Sequence, residues 1–171
     1  KIIAYGVPRT ALVQAAGAGR AALRIAPPCY ATATLIESRV SGAVMSDKGR
    51  AAMAGRLERL GMTLTDRVIC DHATDALADA IAKAKGEVVL ILTASATSDP
   101  EDVAPQALRA AGGDVTAFGM PVDPGNLLFF GQIADKPVIG LPGCARSPAL
   151  NGADWVLERL GWGGGLDQSG I

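Results

Sequence analysis

The chain has 171 residues, 49% of them apolar, and 16 basic against 17 acidic side chains give a net charge of −1. That length suits one domain with a sizeable core. The even charge balance removes the electrostatic basis for a nucleic-acid or anionic-membrane partner, and aromatics at 4% leave no base-stacking surface.

Three well-separated cysteines, Cys29, Cys70 and Cys144, lack metal-ligand spacing and read as buried thiols of a reduced, cytoplasmic setting. A single histidine, His72, excludes a multi-histidine metal site. It follows a strand and reads as an inert surface residue. No apolar run reaches the ~18 residues of a membrane span. The chain opens at Lys1 with neither an initiator methionine nor a signal-peptide pattern, so a piece of a longer protein with flanking domains is expected.

Residues 1–28 are expected to form an accessory strand–helix–strand segment. Its parts are a strand over Ile2–Val7, a helix over residues 10–17 with Thr10 as N-cap, and a strand over 21–25 ended by Pro27 and Pro28. Gly17-Ala18-Gly19-Arg20 has the look of a phosphate loop, but no Lys-Ser/Thr follows it, and it reads as a helix C-cap.

The main domain is expected over residues 29–162. Thr32–Glu37 is a strand, and Ser46-Asp47 caps a helix to Leu60 whose apolar stripe is Ala51, Ala54, Leu57 and Leu60. Gly61 ends that helix, and residues 62–70 alternate as a strand. Thr74-Asp75 caps a helix through Lys85 with Leu77, Ala80, Ile81 and Ala84 inward. Val88–Leu92 is an apolar run suited to a strand buried on both faces. A helix over 100–111 follows, stopped by Gly112-Gly113, then a strand over 115–119. Pro124-Gly125 forms a type II turn, two strands joined by a tight turn span 127–141, and a helix over 149–160 closes the domain before a mobile tail at 163–171. Alternating strands and helices predict a three-layer α/β/α sandwich with a mostly parallel sheet and one antiparallel addition.

Loops at the carboxyl ends of such strands carry chemistry. Three should cluster there, at residues 38–47, 93–102 and 142–147, with the turn 121–126 beside them. Thr93, Ala94, Ser95, Ala96, Thr97 and Ser98 offer hydroxyls and close backbone approach before a helix start, which suits a phosphate. Asp99, Glu101 and Asp102 either hold a divalent cation such as Mg²⁺ to that phosphate or only complement the helix dipole. In the last loop Gly143 permits close approach, Arg146 can grip an anion, and Ser147 can cap or bind; a solvated strand-to-helix turn is the plain alternative. Cys144 sits beside Arg146 at a helix start, but with no histidine adjacent in sequence a cysteine hydrolase lacks its base.

In this order the loops resemble the molybdopterin-binding domain family of molybdenum-cofactor biosynthesis, over residues 32–160. The family's Thr-Gly-Gly-Thr/Ser loop is met by Thr93-Ala94-Ser95-Ala96-Thr97, and its following helix by Asp102-Val103-Ala104-Pro105-Gln106-Ala107-Leu108. Its Lys-Pro-Gly turn is met by Asp123-Pro124-Gly125, and its Leu-Pro-Gly-Asn-Pro-Val-Ser loop by Leu141-Pro142-Gly143-Cys144-Ala145-Arg146-Ser147. Ala94 and Ser95 stand where the family has glycines, Asp123 where it has lysine, and Cys144 where it has asparagine. Asp47 is the nearest counterpart of its first-loop acid.

The resemblance implies a pterin ligand, molybdopterin or molybdenum cofactor, with a Mg-nucleotide as a further partner and a homo-oligomer as a further option. It places the phosphate on Thr93–Ser98, gives Asp102 the catalytic and, with Asp99, the metal-holding role, and puts Pro124, Gly125, Gly143, Arg146 and Ser147 around the ligand. An active domain would be a transferase, adenylating the pterin or inserting metal. The alternative is a non-catalytic binding or assembly module of the same fold. A pyridine-nucleotide hydrolase is a third reading and lacks an evident base.

Overall fold

The computed structural model describes residues 5–23 and 25–165. In chain order the elements are helix α1 (Arg9–Ala18), strand β1 (Thr32–Arg39), α2 (Lys48–Arg59), β2 (Thr63–Asp71), α3 (Thr74–Ala82), β3 (Val88–Leu92), α4 (Val103–Ala110), β4 (Asp114–Phe118), β5 (Phe129–Ile133), β6 (Lys136–Leu141) and α5 (Gly152–Gly161). A short 3-10 helix, Gly143–Arg146, lies between β6 and α5.

The six strands form one sheet in the order β2-β1-β3-β6-β5-β4. β1 pairs in parallel with β2 and β3, and β3 in parallel with β6, while β5 runs antiparallel to both its neighbours. The expected mostly parallel sheet with one antiparallel addition is what forms.

β3 sits between two parallel neighbours, and all five of its side chains are buried. Its pleat sends Val88, Leu90 and Leu92 into a core shared with Met53 and Leu57 of α2 and Val156, Leu157 and Leu160 of α5. Val89 and Ile91 go the other way, onto Leu77 and Ile81 of α3 and Leu108 of α4. Each such side chain contributes about 1.5–3 kcal/mol relative to exposure, so this strand anchors both outer layers. On β6, Gly140 faces Phe129, and a Cβ there would lie 1.8 Å from the ring.

Several local expectations are corrected. Residues 2–4 of the first expected strand and residue 24 of the second lie outside the described residues; Tyr5–Val7 is bend and coil, and 21–23 is turn and bend where the second strand was expected. α1 begins after Pro8, which leaves Thr10 inside the helix, and it buries no residue. Asp47 precedes α2 but caps no amide with its side chain, because its carboxylate accepts from Arg67 instead. The buried face of α2 is Gly49, Ala52, Met53, Arg56 and Leu57, so the expected stripe was rotated. α3 starts after Ala73 and stops at Ala82, although Leu77, Ala80, Ile81 and Ala84 are buried as expected. α4 starts only after Asp102, whose carboxylate closes the preceding turn by accepting from the amides of Ser98 and Asp99. The last helix starts at Gly152, with Asn151 and Asp154 making a capping box. No cysteine is buried: Cys29 is exposed, and Cys70 and Cys144 are partly covered. Among the described residues no helix is long and apolar enough to cross a membrane.

Candidate ligand-binding site

Parallel register brings three strand ends together. Glu37 pairs with Leu92, and Leu92 with Leu141, so the chain leaves β1, β3 and β6 side by side at one sheet edge. A cavity of about 1080 Å³ opens there, between the β1–α2 loop with the start of α2 and the turn after β6. Glu37, Ser38, Gly49 and Ala94 line it together with Gly143, Cys144, Arg146 and Ser147. The volume is of the order that holds a small organic ligand.

Three cations border this cavity, Arg39, Lys48 and Arg146. Arg146 is held by donating through NH2 to the Thr93 carbonyl at 2.7 Å, which ties the last loop to the β3 loop. Arg39 lies 3.9 Å from Asp71 with both side chains well exposed, a pair of little energetic weight. Lys48 makes no ion pair among the described residues.

Beneath them Glu37 is only 1% exposed, and its Oε2 accepts from Arg67 Nε at 2.6 Å. Arg67 also donates to Asp47 Oδ1 at 2.6 Å and to the Ser46 carbonyl at 3.2 Å, so it fastens the β1–α2 loop to β2. Burial works to lower the Arg67 pKa, but the hydrogen bonds and charges of Glu37 and Asp47 outweigh it and raise the pKa above its ordinary value.

The β3 loop is organised inwards rather than towards the cavity. Thr93 Oγ1 donates to the Ser95 carbonyl at 2.6 Å and lies 3.3 Å from Thr97 Oγ1, both threonines being buried. Ala94 is the residue of this loop that lines the cavity, and its amide donates to Ser38 Oγ at 3.0 Å. His72 bridges two hydroxyls, with Nδ1 2.9 Å from Ser38 Oγ and Nε2 3.0 Å from Ser95 Oγ. In the neutral ring one of these nitrogens donates and the other accepts. The histidine read as inert thus latches the β3 loop to β1.

Ala96 and Ser98 are exposed and do not line the cavity. Asp102 Oδ2 accepts from the amides of Ser98 and Asp99 and, at 3.4 Å, from the Ser98 hydroxyl; Asp99 Oδ1 accepts from the Glu101 amide at 2.8 Å. These oxygens are spent on the turn. Among the described residues no three acidic, histidine or cysteine side chains gather as metal ligands. Among the described residues Asp99 and Asp102 gather no third such ligand for the expected Mg²⁺.

The turn after β6 is built from inside. Arg56 of α2, 2% exposed, donates to the carbonyls of Ala145, Ser147 and Ala149 and to Asp154 Oδ1. That fixes the backbone from which Gly143, Arg146 and Ser147 line the cavity; Ser147 Oγ also accepts from the Ala149 amide at 3.2 Å. Pro124 and Gly125 are elsewhere. The Asp123–Pro124 bond is cis, the Pro124 carbonyl accepts from the Gly152 amide at 2.9 Å, and Gly125 is packed against the start of α5.

Of the expected residues, then, Ala94, Gly143, Arg146 and Ser147 share one cavity. Thr93, Ser95 and Thr97 support it, and Ala96, Ser98, Asp99, Asp102, Pro124 and Gly125 lie off it. Sequence reasoning missed Glu37, Ser38, Arg56, Arg67 and His72. A charged residue inside the apolar run of β1 was the available signal for Glu37.

A cavity at the carboxyl edge of a mostly parallel sheet, bordered by three cations, marks the candidate site of this α/β domain. The family described as "Probable molybdopterin binding domain" matches residues 34–160, and the chain belongs to this family of molybdenum-cofactor biosynthesis domains. The molybdopterin biosynthesis MoeA protein from Pyrococcus horikosii is similar at 23% identity, over 67% of this chain and 30% of that one, with a TM-score of 0.52, which shows a shared fold. This chain therefore spans less than a third of that protein's length. A crystal structure of molybdenum cofactor biosynthesis protein B is similar at 16% identity, over 70% of this chain and 85% of that one, with a TM-score of 0.49. No curated protein sequence matches.

Proposed function

We propose that this domain binds molybdopterin or the molybdenum cofactor in the cavity between β1–α2 and the turn after β6, for cofactor assembly or hand-over. One observation carries the reading: the cavity of a molybdopterin-domain family member is bordered by Arg39, Lys48 and Arg146. Molybdopterin ends in a phosphate, and a guanidinium pre-set by its bond to the Thr93 carbonyl meets such a group with little ordering cost. Ala94, Gly143 and Ser147 would line the bound ligand, while the Thr93–Thr97 hydroxyl pair and His72 would hold the loop behind it.

A second reading concerns catalysis. Nucleotidyl transfer or metal insertion would call on Asp102, and the commitment of its Oδ2 to the Ser98–Asp99 turn favours binding without that chemistry. A carrier or assembly role is the version this geometry supports. Calorimetric titration of the protein with molybdopterin tests the proposal. Wild type should bind, more weakly as salt rises, and Arg146→Ala should weaken binding about tenfold or more, as loss of a charge-assisted contact does. Absence of binding to wild type would sink the reading, whereas Mg-ATP binding that Asp102→Ala abolishes would restore the transferase.

A further inference from the structure

Glu37 is an unusual residue to find where it is. It stands in an internal strand, between β2 and β3, on a run whose other side chains from Ala33 to Ile36 are apolar or threonine, and all are buried. One carboxylate oxygen is accounted for by Arg67 at 2.6 Å. The other, Oε1, has no hydrogen-bond partner among the described residues, and Glu37 borders the cavity. The room in front of it exists because residue 49 is glycine: a Cβ there would lie 2.9 Å from Oε1 and 3.4 Å from Arg146 Cγ. Gly49 itself lines the cavity. Among the described residues no buried side-chain oxygen is left without a partner, so Oε1 is an acceptor open to the cavity and available to a ligand's donor.

Charge narrows what that partner is. Arg67 pairs with both Glu37 and Asp47, and the cavity that offers the Glu37 acceptor is also lined by Arg39, Lys48 and Arg146. The complementary ligand is anionic at one end and presents N–H donors at the other. An aminopyrimidinone ring bearing a phosphate has both, and its ring N–H and exocyclic amine are the donors a carboxylate accepts from.

We infer that Glu37 is the specificity-determining residue of this cavity, its Oε1 accepting from the donor edge of an aminopyrimidinone ring whose phosphate lies among the rim cations. The inference rests on the phosphate-bearing ligand proposed above and adds which ring the site selects and by which atom. Arg67 is the positioning residue, since it holds the carboxylate with one oxygen turned to the cavity. The same donor edge occurs in pterins and in guanine nucleotides, so both belong in the test.

The test measures binding of 6-hydroxymethylpterin, GMP, AMP and inorganic phosphate to wild type, Glu37→Gln and Gly49→Ala, with melting curves for each protein. In Glu37→Gln, Arg67 still needs an acceptor, so the amide oxygen turns to it and the NH2 group faces the cavity, donor against donor. Pterin affinity should fall about ten- to a hundredfold while phosphate affinity stays within about twofold. Gly49→Ala sets a methyl group 2.9 Å from Oε1, so the carboxylate must shift from the position that faces the cavity, and it should cause the same selective loss. Wild type should prefer the pterin or GMP over AMP; pterin above GMP names the pterin as the source, and the reverse names the nucleotide. Unchanged pterin affinity in a folded Glu37→Gln or Gly49→Ala protein overturns the inference, as does equal binding of AMP. Wild type that binds molybdopterin while both variants keep full affinity refutes Glu37's role and leaves the ligand reading standing. Wild type that binds GMP but no pterin removes the molybdopterin reading and keeps Glu37, and binding of none of these ligands removes both.

Discussion

Arg56 and Asp154 lie 98 positions apart in sequence and meet inside the protein, Nε donating to Oδ1 across 2.9 Å. Both are almost fully buried, at 2% and 4% exposure. The remaining donors of Arg56 take the carbonyls of Ala145, Ser147 and Ala149, and the second oxygen of Asp154 accepts from the Asn151 amide at the start of α5. One guanidinium therefore joins α2, α5 and the cavity's outer wall. A buried pair of this kind adds little net stability over an apolar pair but is costly to break. Arg56→Lys is expected to destabilise the fold by about 3 kcal/mol in urea melts, because a lysine ammonium is a point donor that cannot serve four acceptors in a fork. A lysine variant as stable as wild type would show that the loop carbonyls find other partners.

At the opposite end of the sheet, Glu87 ties β3 to the entry of β1. Its Oε2 accepts from the amides of Ala31 at 2.6 Å and Thr32 at 3.0 Å. Those two amides hold the Glu87 carboxyl below its ordinary pKa of 4.5. A depressed carboxylate contributes stability that is fully present above its unfolded pKa and is lost as pH falls through the folded value. Glu87→Gln should therefore melt below wild type at pH 7, with the gap closing as pH drops below 4.5. A gap that is constant with pH would mean the charge is irrelevant to the clamp.

The His72 latch predicts a local rather than global effect. Ser38 Oγ is the acceptor for the Ala94 amide and the partner of His72 Nδ1. Ser38→Ala removes both bonds at once. Hydrogen exchange at Ala94 should speed up about tenfold, the effect of roughly 1.4 kcal/mol, while amides of β3 keep their protection. Unchanged exchange at Ala94 would show that the Arg146 bond to Thr93 alone holds the loop.

Gly140 makes a sharper claim about packing. Its absent Cβ is the space in which the Phe129 ring lies, 1.8 Å from the position that atom would take. Gly140→Ala should cost about 3 kcal/mol or more through overpacking between two central strands. A thermal melt within a few degrees of wild type would contradict this.

Much of the fold was legible because its signals are periodic. Val88–Leu92 declares a strand buried on both faces, and Leu77, Ala80 and Ile81 mark the inward stripe of α3. α2 defeats the same approach, since its inward face carries Arg56 and Gly49 and a hydrophobicity pattern drifts to the exposed Ala51. Gly143, Arg146 and Ser147, marked in the sequence by residue type and by loop order, line the cavity. Ser38 and His72 were not, because they meet only after β1 and β2 align in parallel with Ser38 opposite Cys70. The hydroxyls of Thr93 and Thr97 looked available for a ligand and are instead turned on their own loop.

The central claim is where the ligand sits, and backbone amide chemical-shift mapping with molybdopterin tests it most directly. Saturable shifts are expected at Ser38, Gly49, Ala94 and Gly143, which line the cavity, with Ser98, Asp99, Asp102 and Gly125 little moved. Shifts centred on Ser98–Asp102 and sparing Gly49 and Gly143 would contradict it and return the site to the start of α4.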